Sequence, residues 1–237
     1  MLKVSNIRKI INGKTIIDDI SFNINLGNIY GLLGPNGAGK TTTFYSIAGL
    51  IKCDEGEIYL GNSNITKLPM HKRSKLGIKY LPQEPSIFQN LTVMENLIGL
   101  AELSYSSKKD VDQFVEKSIE GFKLSKILNS KGRELSGGQR RKVEIARTLA
   151  ADPKIILLDE PFAGIDPIAI EEIQEILRIV ASNNIGILIT DHNVREALDI
   201  CYKSIVISQG KVIATGSKNE LISNELVKKV YIGKMYS

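Results

Sequence analysis

Short apolar runs rich in β-branched residues alternate along most of the chain with longer stretches of mixed polarity. This alternation favours an α/β domain built on a largely parallel sheet. The first two apolar runs have Gly13 between them and Gly27 after them, which favours an antiparallel flank over a βαβ unit. The candidate strands are residues 3–8, 19–25, 28–33, 57–60, 77–81, 155–159, 186–190, 203–208 and 211–215.

Helices are predicted in the longer stretches of mixed polarity between the apolar runs. One follows Lys40, one follows Pro167 and a short one follows Asn193. Pro167 suits a first helical turn, and Asp166 before it can cap the free amides of that turn.

From about residue 85 to residue 152 the strand pattern disappears, and this region is expected to be mostly helical. The helices predicted there are 93–103, 108–122 and 136–151. We therefore expect a single domain over residues 1–237. Its parts would be a core at 1–84 and 153–216, a helical insertion at 85–152, and a C-terminal tail at 217–237.

Composition narrows the class of protein only a little. The chain has 237 residues, 43% of them hydrophobic, and a formal net charge of +5. Its longest apolar runs are strand-length, well short of the ~20 residues that a membrane-spanning helix needs. The first ten residues lack the apolar stretch and cleavage site of a signal peptide, so we expect a cytoplasmic protein. The basic residues are scattered, which indicates a solvated surface rather than a nucleic-acid-binding patch.

A glycine-rich segment follows the predicted strand at 28–33 and opens a helix. It fits the pattern GxxxxGK[ST], whose glycines let successive backbone amides point at phosphate oxygens, while the helix N-terminus adds partial positive charge. Lys40 is expected to reach the β- and γ-phosphates of ATP, and the Thr41 hydroxyl is expected to bind Mg²⁺. The predicted ATP-binding residues of this loop are Gly34, Pro35, Asn36, Gly37, Ala38, Gly39, Lys40, Thr41 and Thr42.

An apolar strand at 155–159 ends in two carboxylates, Asp159 and Glu160. The tip of a buried parallel strand meets solvent and ligand at the carboxyl edge of the sheet, so acids there lie within reach of a phosphate. Asp159 is expected to complete the Mg²⁺ shell, partly through water. Glu160 is placed to orient or deprotonate the attacking water.

A second anion site is predicted where another helix begins, at Ser136, Gly137, Gly138 and Gln139. Ser136 has the character of an N-cap, and the glycines leave the first amides of the helix open. One nucleotide does not need two phosphate cradles in one subunit. The simplest arrangement is a head-to-tail homodimer in which this second site serves the nucleotide held by the other copy.

In order and spacing, these motifs resemble those of ABC-type ATPase subunits over nearly the whole chain. The resemblance rests on LSGGQ at 135–139, the phosphate loop, YLPQ ending at Gln83, GID ending at Asp166, and His192. It implies an ABC ATPase fold, in which a P-loop NTPase core of the RecA-like type carries an antiparallel β flank and an inserted α-helical subdomain.

The resemblance also implies roles for single residues. Gln83 is similar to the loop glutamine that contacts Mg²⁺ and the attacking water, and His192 to the histidine that contacts the γ-phosphate. Asp166 is similar to the loop aspartate that contacts the opposing subunit. Near residue 11 most members carry an aromatic that stacks on adenine, whereas Ile11 has no π-system. Because stacking is worth ~1–3 kcal/mol per base, we expect weaker adenine binding here.

Within this family the chain is most similar to the ATPases of bacterial lipopolysaccharide export. The less generic matching runs are SIF at 86–88, NVRE at 193–196 and VKKVYIGK at 227–234. Gln139 departs from that subfamily, where glutamate is common. The ATPases of branched-chain amino-acid importers share several of these features and stay an alternative. A soluble ATPase of this type acting on nucleic acid or ribosomes is disfavoured, because the insertion is compact and has no hook cysteines.

The resemblance further implies a homodimer bound to two integral-membrane permease subunits on the cytoplasmic face of a bacterial inner membrane. ATP would be its only small-molecule substrate, and no nucleic-acid partner is expected. Phe88 and its neighbours, just after Gln83, would line a groove that receives a short cytoplasmic helix from each permease. From the residues alone, a core position for Phe88 is equally compatible.

Overall fold

The structure is a computed structural model, and it describes residues 1–233. The strands are β1 (Leu2–Ile11), β2 (Lys14–Ile24), β3 (Ile29–Leu33), β4 (Glu55–Leu60), β5 (Ser63–Asn64), β6 (Ile78–Leu81), β7 (Ile155–Asp159), β8 (Gly186–Thr190), β9 (Lys203–Ser208) and β10 (Lys211–Gly216). The α-helices are α1 (Lys40–Ala48), α2 (Met70–Lys75), α3 (Val93–Glu102), α4 (Lys108–Gly121), α5 (Gly137–Leu149), α6 (Pro167–Ser182), α7 (Val194–Ile200), α8 (Lys218–Ser223) and α9 (Glu225–Val227), which continues into a last helical turn at Lys228–Ile232.

Ten strands form two sheets among the described residues. The larger sheet has the order β10-β9-β3-β8-β7-β6, and its strands are parallel except for β10 at one edge. The smaller sheet, β2-β1-β4-β5, is antiparallel. The predicted parallel sheet and antiparallel flank are therefore confirmed. All nine predicted strands are present, whereas β5 and α2 were not predicted, because two residues of strand and six of helix are too short to show a period.

The central strands lie between two apolar layers. Every residue of β3, β7 and β8 is buried, as expected for parallel strands covered on both faces. One apolar cluster joins this sheet to α3–α7, and the other joins it to the antiparallel sheet and α1. The carboxyl ends of β3, β7 and β8 consequently meet at one edge of the sheet. The residues that follow these strands share that edge.

Helix ends follow the sequence signals closely. Asp166 caps α6 by accepting a hydrogen bond from the Ala169 amide at 3.0 Å, and Pro167 occupies the first helical position. Ser136 and Gln139 form a reciprocal capping box at the start of α5. Both caps satisfy amides that would otherwise lack a partner, and they fix where the loops before α5 and α6 turn. None of the helices at residues 1–233 is long and apolar enough to cross a membrane.

Candidate nucleotide site

The phosphate loop joins β3 to α1 in a conformation that requires glycine. Gly34 and Gly39 have φ angles of 147° and 103°. A Cβ at Gly34 would lie 2.0 Å from the Ile207 carbonyl oxygen, and one at Gly39 would lie 2.8 Å from the Ile16 carbonyl oxygen. Because both obstacles are backbone atoms, no side chain fits at either position without moving a strand. The loop thus lies tightly against β9 and β2.

Lys40, the first residue of α1, folds back over this loop. Its Nζ donates to the carbonyl oxygens of Gly34 at 2.7 Å and Pro35 at 3.0 Å. Burial lowers the pKa of Lys40, while the negative charges of Glu160 and Asp159 act in the opposite direction. The ammonium is therefore held between the loop and two carboxylates, where a phosphate group would add a third source of negative charge.

Asp159 ends β7 and is held by two hydroxyl groups from neighbouring strands. Its Oδ1 accepts from Thr190 Oγ1 at 2.6 Å, and its Oδ2 accepts from the Tyr80 hydroxyl at 3.2 Å. Burial, followed by the charge of Asp159, raises the pKa of Tyr80, so this phenol remains a donor. The carboxylate is fixed in orientation at the sheet edge. Neither Thr190 nor Tyr80 was expected from the sequence.

Glu160 and His192 are in direct contact. Glu160 Oε1 lies 2.6 Å from His192 Nε2, and the Glu160 amide donates to the Thr190 carbonyl oxygen at 2.9 Å. Glu160 has a φ of 46°, a left-handed conformation uncommon for a non-glycine residue and often found at functional sites. The turn before His192 is fixed by Asp191, whose carboxylate accepts from the amides of Phe162 at 3.1 Å and Asn193 at 2.7 Å.

These side chains surround one open cleft of about 440 Å³. The cleft is lined by Lys14, Ile16, Asn36, Gly37, Gly39, Lys40, Thr41, Thr42, Asp159, Glu160, Thr190 and His192. The structure thus brings together the predicted phosphate-loop, carboxylate and histidine residues from three separate parts of the chain. A hydroxyl and a carboxylate, from Thr41 and Asp159, are the hard oxygen donors that Mg²⁺ prefers, so the residues present fit that ion.

Gln83 and Ile11 do not line this cleft in the described part of the chain. Gln83 is exposed and lines a neighbouring cavity of about 80 Å³ together with Gly137 and Glu160. Ile11 ends β1 opposite Lys14, which lines the cleft, and is 40% exposed. The aliphatic side chain inside the cleft is Ile16, which the sequence did not single out. A role for Ile11 in adenine binding stays a prediction.

The second helix-start site also lies outside the Lys40 cleft, since none of residues 136–139 is among the described residues that line it. Ser136 is exposed at the start of α5, while Gly138 is buried. A Cβ at Gly138 would lie 2.5 Å from the Cβ of Ala169, so this glycine permits close packing of α5 on α6. Packing alone thus requires Gly138, and the role of these glycines in anion binding stays a prediction.

Charged residues on the inner face of α5 hold the loop after β6. Glu144 Oε1 accepts from the Ser86 amide at 2.7 Å, and its Oε2 accepts from Arg141 at 3.3 Å. Arg141 also donates to the carbonyl oxygens of Pro82 at 2.9 Å and Asp159 at 3.1 Å. The helix that begins at Ser136 is thereby bonded both to the loop that carries Gln83 and to the carboxylate strand. One signal in the sequence could have indicated these contacts: Arg141 and Glu144 are charged side chains three residues apart on an otherwise apolar helix face.

Phe88 lies on the surface rather than in a core. Its ring is 51% exposed, and the Arg147 guanidinium lies over it at 4.6 Å from the ring centroid. The backbone beneath is fixed by the fully buried Asn96, which accepts from the Phe88 amide at 3.0 Å and donates to its carbonyl oxygen at 3.1 Å. The core position that the sequence left open is thus wrong, and the exposed ring is available to a partner.

Comparison with known proteins settles the family. The residue profile described as "ABC transporter" matches residues 17–163. A full-length relative, the lipopolysaccharide export system ATP-binding protein LptB of Haemophilus influenzae, is 48% identical over 100% of this chain and 98% of its own.

The chain belongs to the ABC transporter family.

Other matches agree with this family assignment. The LptB protein of Escherichia coli K12 is 46% identical over 98% of this chain and 97% of its own. A crystal structure of an ABC transporter ATP-binding cassette in its ADP conformation has a TM-score of 0.86, 32% identity and 98% coverage of both chains. A dimeric bacterial ABC transporter cassette has a TM-score of 0.79 and 26% identity, covering 92% of this chain and 99% of its own. The expected ABC ATPase fold, ATP binding and ATPase activity are confirmed.

Proposed function

We propose that this ABC ATPase works as a pair of identical copies that drives lipopolysaccharide export from a bacterial inner membrane. The contact between Glu160 and His192 in the lining of the Lys40 cleft supports hydrolysis at this site. The similarity to lipopolysaccharide export ATPases over the full chain supports the transport role. The cytoplasmic face of the membrane is the location that fits both.

Hydrolysis at this cleft follows from the placement of its side chains. The loop amides and Lys40 bind the phosphates of ATP, and Thr41 and Asp159 would hold Mg²⁺. Gln83, which lines the neighbouring cavity beside Glu160, stays a predicted contact of that ion. That ion, when bound, neutralises charge on the phosphates. Glu160 accepts a proton from the water, whose oxygen forms a bond to the γ-phosphorus as the bond to ADP breaks. His192 orients the water and Glu160. Catalysis of this kind is mostly positioning and charge stabilisation.

A second copy completes the site in this proposal. Ser136 is exposed at the start of α5, outside its own cleft, with the half-buried Gly137 and Gln139 beside it. Asp166 is exposed just before α6. Helix-start amides attract anions, so in a head-to-tail pair this surface would face the γ-phosphate bound by the other copy. ATP would then join the two copies, and loss of the γ-phosphate would let them separate. Residues 85–152 act in this account as the subdomain that presents this surface.

Each of the two copies would bind one membrane partner at its Phe88. Its exposed ring beside Arg147 offers both an apolar anchor and a cation, and the loop beneath is bonded to α5 through Glu144 and Arg141. A helix pressed into this surface would therefore be linked to both α5 and the end of β7. This linkage gives a physical route from ATP-driven closure to the permeases.

An affinity pull-down of the tagged chain from detergent-solubilised membranes tests the transport role. Two multi-span permeases that carry a periplasmic domain are the expected partners. Permeases without that domain, together with a second ATPase, would indicate amino-acid import instead. Phe88→Ala is expected to lose the partners while the purified variant still binds ATP. Equal loss of both would assign Phe88 to folding.

A further inference from the structure

The Lys40 cleft has two ends, which lie on opposite sides of the phosphate loop. That loop follows β3, and the order of the larger sheet places β3 between β9 on one side and β8 on the other. Asp159, Glu160 and His192 come at or just after the ends of β7 and β8, so they form one end of the cleft. The opposite end is formed by β2, which contributes Lys14 and Ile16.

Backbone contacts fix β2 at this second end. In the turn between β9 and β10, the Gly210 amide donates to the Ala38 carbonyl oxygen at 3.0 Å, and the Gly210 carbonyl oxygen accepts from the Asp18 amide at 2.8 Å. A Cβ at Gly39 would lie 2.8 Å from the Ile16 carbonyl oxygen, so β2 also approaches the loop directly. These contacts hold β2 on the β9 side of the loop, away from the catalytic carboxylates and the histidine.

A nucleoside triphosphate fits these two ends in one orientation. Water attacks the γ-phosphate, and the proposed mechanism places that group beside Glu160 and His192. Because the triphosphate extends along the loop, the base would lie at the other end of the cleft, against Lys14 and Ile16. These two side chains would then decide which base is accepted.

The base end of the cleft offers an apolar surface and a cation. Ile16 is half-buried, and an aliphatic side chain covers the face of adenine and guanine alike. Lys14 is exposed, and its ammonium has no ion pair with the residues that the structure describes, 1–233. An ammonium only donates hydrogen bonds. Guanine presents two acceptors, N7 and O6, whereas adenine presents N7 beside an amino group that is itself a donor.

We propose that the base end admits guanine as well as adenine, so that the chain hydrolyses GTP in addition to ATP, and that Lys14 is the residue that favours guanine. The reaction is the same for both nucleotides: the water oxygen forms a bond to the γ-phosphorus, and the bond to GDP or ADP breaks. This proposal rests on the proposed function, which assigns the γ-phosphate to the Glu160 end of the cleft. It departs from the expectation that ATP is the only small-molecule substrate.

Steady-state hydrolysis of ATP and of GTP tests the proposal in the unaltered chain, in Lys14→Met and in a control, Lys3→Met. Methionine keeps a long side chain but removes the donor. Lys3 is an exposed lysine on β1 that does not line the cleft. In the unaltered chain we expect kcat/KM for GTP to lie within about 10-fold of the value for ATP, and Lys14→Met to lower the GTP-to-ATP ratio about 10-fold. Lys3→Met should leave the ratio unchanged.

Two results would overturn the proposal. One is an unaltered chain whose kcat/KM for GTP is more than ~100-fold below that for ATP. The other is an unchanged GTP-to-ATP ratio in Lys14→Met, including an equal loss for both nucleotides, which would reduce Lys14 to a general attraction for phosphate. If none of the three proteins hydrolyses either nucleotide, the proposed hydrolysis mechanism fails. The ratio of GTP to ATP affinities in calorimetry then decides the base preference by the same criteria.

Discussion

Glu144→Ala tests whether the buried charges of α5 hold the loop that carries Gln83. The Glu144 side chain is 3% exposed, and it accepts hydrogen bonds from the Ser86 and Ile87 amides and from Arg141. The variant removes the acceptor of those two amides and one of the acceptors of the Arg141 guanidinium. Burial already lowers the pKa of Arg141, and Glu144 is the main group that opposes this effect.

The magnitude follows from the pair that is broken. Removing one partner of a buried ion pair costs about 3–5 kcal/mol. Arg141 keeps its bonds to the carbonyl oxygens of Pro82 and Asp159, so we expect the lower end, about 3 kcal/mol. In a chain of this length each kcal/mol lowers the melting temperature by roughly 2–4 °C, so the expected shift is roughly 6–12 °C.

Urea unfolding and calorimetry of Glu144→Ala measure this loss, with Glu172→Ala as the control. Glu172 also pairs with a base on α5, Lys142, but it is 46% exposed, and an exposed pair contributes at most ~1 kcal/mol. The double variant Arg141→Met with Glu144→Leu should recover much of the stability, because it removes both buried charges. A loss below about 1 kcal/mol in Glu144→Ala would refute the reasoning.

Three further substitutions, one of them with a control, probe ATP binding and the packing of α5. Lys40→Ala should weaken ATP binding by about 10- to 100-fold in calorimetry, because charged hydrogen bonds contribute ~1.5–3 kcal/mol; unchanged affinity would contradict the assignment of the cleft. Gly138→Ala should lose about 1–3 kcal/mol of stability, because its new Cβ would clash with Ala169. Gly99→Ala is the control: its Cβ would meet nothing within 4 Å, so this variant should gain up to ~1 kcal/mol. Ile11→Tyr should tighten ATP binding by ~1–3 kcal/mol if the ring stacks on adenine; equal affinity would place the base elsewhere, for example against Ile16.

Local signals made the phosphate loop and the strands predictable. The loop glycines Gly34 and Gly39 are required by positive φ, which acts within a few residues, so the motif could be predicted. Their close approach to the Ile207 and Ile16 carbonyl oxygens comes from other strands and could not. The carboxylates at Asp159 and Glu160 were predictable for a related reason, since the end of a buried parallel strand fixes its own position at the sheet edge.

Long-range contacts explain what the sequence could not predict. Glu144 and Ser86 are 58 positions apart, and Tyr80 and Asp159 are 79 apart, so no local pattern joins them. Which of two isoleucines lines the cleft, Ile11 or Ile16, depends on a register shift between β1 and β2. In that shift Lys9 pairs with Ile17, whereas Ile10 pairs with Thr15. That shift leaves one extra residue on β2, which is a β-bulge and redirects side chains locally.

Light scattering of Glu160→Gln tests most directly the claim that two copies share each ATP. The substitution keeps the phosphate loop but removes the carboxylate proposed to accept the proton, so ATP should bind and persist. The account predicts a species of twice the 26.2 kDa chain mass when ATP is present and a single chain without it. Adding Ser136→Arg to the same chain should leave it monomeric with ATP still bound. A Glu160→Gln protein that binds ATP fully and stays monomeric would contradict the shared site.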